Sequence, residues 1–76
     1  MSIGYLEPVT DHGPVVALYR AVNGFRQREG EMPVWVIAGV GVQLPAEEVL
    51  RFGLRERVNG GARPGHILVG RETESD

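Results

Sequence analysis

The sequence predicts a small α+β or α/β domain, a short sheet packed by two helices. Three observations carry this expectation. Residues 14–28 place Val15, Leu18, Tyr19, Val22 and Phe25 on one stripe roughly 120° wide at helical spacing. Residues 34–44 form an almost unbroken apolar run, as a strand covered on both faces requires. Residues 45–59 return to the helical pattern, opening on Pro45 and closing on Asn59-Gly60. With short apolar segments at both ends, the order is strand, helix, strand, helix, strand, which favours a small sheet with helices laid on it.

The first strand is expected over residues 2–7, with Ile3 and Tyr5 on one side. Residues 8–14 read as a loop, because Asp11, Gly13 and the flanking prolines all favour turns. The helix over 14–28 has Pro14 in an early position, where its missing N–H costs nothing. Asn23-Gly24 competes with it, since that dipeptide is a strong hairpin signal. A hairpin there would lead to a small all-β barrel, the alternative architecture. Its second strand would read Phe, Arg, Gln, Arg, Glu from Phe25 onward and would bury almost nothing, so the helix is preferred.

In the strand over 34–44, Val34, Val36, Ala38, Val40, Val42 and Leu44 share one face, and Trp35, Ile37, Gly39, Gly41 and Gln43 share the other. The two glycines leave room for a close approach. In the helix over 45–59, Glu47 and Glu48 sit in the first turn, where the helix dipole favours carboxylates. Its buried stripe is expected to hold Ala46, Val49, Leu50, Gly53, Leu54 and Val58, with Glu47 and Arg51 as an i,i+4 pair and Phe52 off the stripe. A last short strand is expected over 66–70.

Composition narrows the function classes. The chain has 76 residues, no cysteine and a formal charge of −2, so one domain is expected over 1–71 with a disordered acidic tail over 72–76. Without cysteine there is no disulfide frame and no thiol nucleophile. No apolar run approaches the roughly 20 residues of a membrane span, and no leader pattern opens the chain; a cytoplasmic location is expected. All eight basic residues are arginine, the usage of a GC-rich bacterial genome or its phage. Residues 1–50 hold three arginines against six acids, whereas 51–71 hold five against the single Glu56.

Candidate catalytic groups are weak. The Gly39-Val40-Gly41 junction has only two of the three glycines of a dinucleotide-binding turn. His12 and His66 stand 54 positions apart, with no ligand spacing around them. Glu47 and Glu48 are consecutive on a helix and point about 100° apart, so they cannot face each other across a substrate. No enzyme activity, metal or cofactor is expected. The expectation is a protein-interaction module (an assembly subunit, adaptor or inhibitor) that binds itself or another protein through Trp35, Arg51, Phe52 and Arg55, since aromatics and arginine dominate binding hot spots. The alternative is a winged-helix-like DNA-binding protein presenting Arg51, Arg55 and Arg57 from the helix and Arg63 from a wing.

Overall fold

The computed structural model describes residues 2–58 and 61–73. The elements are β1 (Ser2–Pro8), α1 (Gly13–Glu29), β2 (Trp35–Ala38), α2 (Ala46–Arg51), β3 (Arg55–Arg57) and β4 (His66–Glu72). They form an open mixed sheet in the order β1-β4-β2-β3 with two helices, an α+β domain. The all-β barrel is therefore excluded. β1 runs antiparallel to β4, with Ser2 opposite Glu72 and Pro8 opposite His66. β4 runs antiparallel to β2, and β2 parallel to β3.

One face of this sheet carries the core. Val36, Ile67 and Val69 meet Ala17, Leu18, Ala21, Val22 and Phe25 of α1, and Val49 and Leu54 join the same cluster from the second half of the chain. Both helices thus lie on one side. Ile3 and Tyr5 of β1 pack against the cluster, as their alternation predicts.

α1 keeps the expected stripe except Val15, which is exposed, and places Asn23-Gly24 inside the helix rather than at a turn. The reason for Gly24 is steric. A Cβ there would stand under 3.0 Å from ring carbons of Tyr5, so the missing side chain lets β1 lie close against α1. The helix stops at Gly30, whose φ of 74° is left-handed.

The long strand expected over 34–44 is cut to four residues, Trp35–Ala38. Gly39 still pairs, donating its N–H to the His66 carbonyl at 2.8 Å, but the chain then turns, with Val42 N–H reaching Gly39 at 3.1 Å. Gly41 has φ 84° and supplies the turn. Gly39 supplies clearance, because the Arg63 backbone carbonyl occupies the place of its side chain. Val40 is consequently 80% exposed rather than packed with Val36.

The helix expected over 45–59 ends at Arg51. Gly53, at φ 71°, donates to Leu50 at 2.9 Å, and Leu54 donates to Val49 at 3.0 Å. These two bonds are a Schellman closure, and the buried pair Val49 and Leu54 is its usual hydrophobic contact. Residues 55–57 then form β3, an edge strand where helix was expected. Leu50 and Val58, placed on the buried stripe by helical spacing, are 78% and 86% exposed for this reason. Gly53→Ala should cost about 1 kcal/mol through the left-handed backbone alone, since open space surrounds the position. A urea melt checks this; no loss of stability would mean that α2 closes some other way.

β4 extends two residues beyond the expected 66–70, so Glu72 belongs to the sheet and not to an acidic tail. The rest of the tail expectation, over 74–76, lies outside the described residues, as does the expected helix closure at Asn59-Gly60. Among the described residues no helix is long and apolar enough to cross a membrane.

Candidate functional site

Among the described residues no helix lies on the second face of the sheet. Strand alternation and register put Gly4 and Leu6 of β1, Leu68, Gly70 and Glu72 of β4, Trp35 and Ile37 of β2, and Arg55 and Arg57 of β3 on that side. Its centre is Trp35. The indole lies over Gly70, where a Cβ would come under 3.0 Å from ring carbons Cζ2 and Cη2. From above, the Arg57 guanidinium stands 5.0 Å from the ring centroid in a cation–π contact. Arg57 there also pairs with Glu72, Nη2 to Oε1 at 3.0 Å.

Trp35 is thereby 5% exposed, so its ring is a floor and not a projecting anchor. Beside it opens a cleft of about 510 Å³, lined by Val34, Trp35, Gly53, Arg55, Arg57 and Glu72 together with Glu56. Arg55 stands opposite Trp35 in the parallel pair, and its backbone N–H bonds to Val34 at 2.9 Å. Among the described residues the Arg55 guanidinium has no hydrogen bond or ion pair. Glu56 is in register with Val36, so its side chain belongs to the opposite face.

The chain matches no family model, no curated protein and no solved structure.

The four residues expected to form one binding patch are thus divided. Trp35 and Arg55 share the cleft. Phe52 is on the helical side, half-buried against the core, where its ring meets Tyr19 edge-on at 5.0 Å and 88°. Arg51 ends α2, exposed, and makes no ion pair with Glu47 among the described residues. The residues that sequence reading left out of this patch are Arg57, assigned only to the DNA-binding alternative, and Glu72, whose place against Arg57 depends on a pairing between β3, β2 and β4 that no local pattern announces.

The basic segment is divided in the same way. Arg51 lies on a helix of six residues, Arg55 and Arg57 on a strand, and Arg63 in the loop before β4. The helix-borne row of cations expected for the winged-helix reading does not form. The histidines are also separate from the cleft. His12 precedes α1 with its N–H on the Thr10 hydroxyl at 3.3 Å, and the His66 ring bonds through Nδ1 to the Pro64 carbonyl at 2.9 Å. Among the described residues no group of His, Asp or Glu is placed to hold a metal ion.

Proposed function

We propose that this chain is a non-enzymatic interaction module that docks a protein partner, itself or another chain, at the cleft beside β3. The observation carrying this reading is the juxtaposition of an indole floor with two arginines on the sheet face that no helix covers. Arginine and tryptophan in a partly enclosed cleft are the chemistry of interface anchors. The exposed Leu6 and the half-buried Leu68 extend the same face with apolar surface. A chain of 76 residues has little core of its own, and a partner covering this face would add to its stability.

Light scattering on the purified chain, and capture from cell extract by the immobilised chain, test the proposal together. The expected result is a native mass above 8.3 kDa, or a protein retained by the wild type and lost with Arg55→Glu plus Arg57→Glu. A monomer at every concentration that retains the same proteins with and without those substitutions would overturn it.

A further inference from the structure

Trp35 contributes more to the cleft than a surface. Its Nε1 is the one buried side-chain polar atom among the described residues that has no hydrogen-bond partner. A buried donor left unpaired keeps the full penalty of losing water, so such a group in a folded chain calls for an acceptor. Two residues of β3 define which acceptor fits. Arg57 already holds a carboxylate, that of Glu72, while Arg55 presents the same planar fork from the same face with none. Glu56 also lines the cleft but leaves from the other side of the strand, and of the two guanidinium groups there only that of Arg55 has no carboxylate against it among the described residues.

We infer that the cleft takes a carboxylate from an extended acidic segment of a partner protein, held by Arg55 in the bidentate manner of a guanidinium and by the indole N–H of Trp35. The inference rests on the docking reading above and names the chemistry of the partner. Val34, exposed at the cleft wall, suits an aliphatic residue beside the acid. Arg57 and Glu72, with side chains 48% and 55% exposed, form a movable cover over the indole. The ligand carboxylate reaches Nε1 as this cover swings aside. Charge-assisted bonds of this kind are roughly twice as strong as neutral ones, so an amide in place of the acid should bind distinctly worse.

The chain has a single tryptophan, so its indole N–H gives one NMR resonance, a direct reporter on the proposed contact. The probe is a blocked Ala-Val-Glu-Val-Ala pentapeptide titrated into ¹⁵N-labelled protein, with its glutamine counterpart as control. The acidic peptide should move the indole resonance to saturation, and the glutamine peptide should bind about tenfold more weakly. Arg55→Gln should lose the response by a similar factor while keeping the dispersed spectrum of the folded chain. Arg63→Gln, in a separate loop, should respond as the wild type does.

Equal responses to both peptides, an unchanged response in Arg55→Gln, or no movement of the indole resonance would overturn the inference. So would a short DNA duplex that moves this resonance where the peptide does not. If capture still depends on Arg55 and Arg57 but the peptide has no effect, the carboxylate inference fails and the docking reading stands. If neither depends on them, both fail.

Discussion

Phe25→Ala should cost this domain a large share of its stability. Phe25 is fully buried and is the largest side chain so enclosed, about one turn from the end of α1 and surrounded by the cluster that joins both helices to the sheet. Truncating a core phenylalanine loses its transfer free energy and leaves a cavity, together about 3–5 kcal/mol. A chain of this length holds a margin of roughly 4–11 kcal/mol at typical per-residue stabilities. The substitution therefore removes about a quarter of the margin at least, and nearly all of it at the lower end. Urea denaturation followed by far-ultraviolet circular dichroism measures the effect. A midpoint shift equivalent to less than about 1 kcal/mol would show that the core does not centre on Phe25.

Gly70→Ala should be severely damaging for a change of one methyl group. Gly70 lies in β4 between two other strands, and an added Cβ would come under 3.0 Å from the Ile3 carbonyl oxygen and from the Trp35 ring. The carbonyl is backbone in the neighbouring strand and cannot turn away without breaking the β1–β4 ladder. The indole can move only by leaving its position under Arg57. Overpacking on this scale costs about 3 kcal/mol. Because Trp35 is the sole tryptophan, its fluorescence should shift to longer wavelength as the ring meets water, in parallel with the loss of stability. Unaltered emission with wild-type stability would mean that the indole does not lie over Gly70.

The fold class could be read from the sequence because its two strongest signals are local. Leu18, Val22 and Phe25 at helical spacing specify α1 without reference to the rest of the chain. Val36 between Trp35 and Ile37 marks a strand, although helices cover only one face of it. The end of α2 was also present in the sequence but was masked. Gly53-Leu54 after Val49 is the pattern of a Schellman closure, yet the helical periodicity continues through Val58 and makes Gly53 look like one more residue on the stripe. β3 had no such signal. Arg55, Glu56 and Arg57 have neither β propensity nor an apolar face, and they are a strand because β2 offers them an edge.

The candidate site was legible in its residue types and not in its arrangement. Trp35 and Arg55 were identifiable as anchor chemistry, but their closeness comes from a parallel pairing across the whole of α2. Phe52 was separated from them by Tyr19, whose ring turns it toward the helices. Nor could the sequence show that Trp35 is covered. That follows from Gly70, which stands opposite it only once β4 has paired with β2.

The pairing of Ser2 with Glu72 also has a kinetic consequence. During synthesis β1 leaves the ribosome first but cannot find its neighbour until β4 follows, almost the entire length of the chain later. α1 can coil early, yet the sheet it rests on closes last and through its most distant segments, which places the domain among slower folders for its size. While it waits, the apolar side of α1 is open to chaperones and to the same side of another nascent copy.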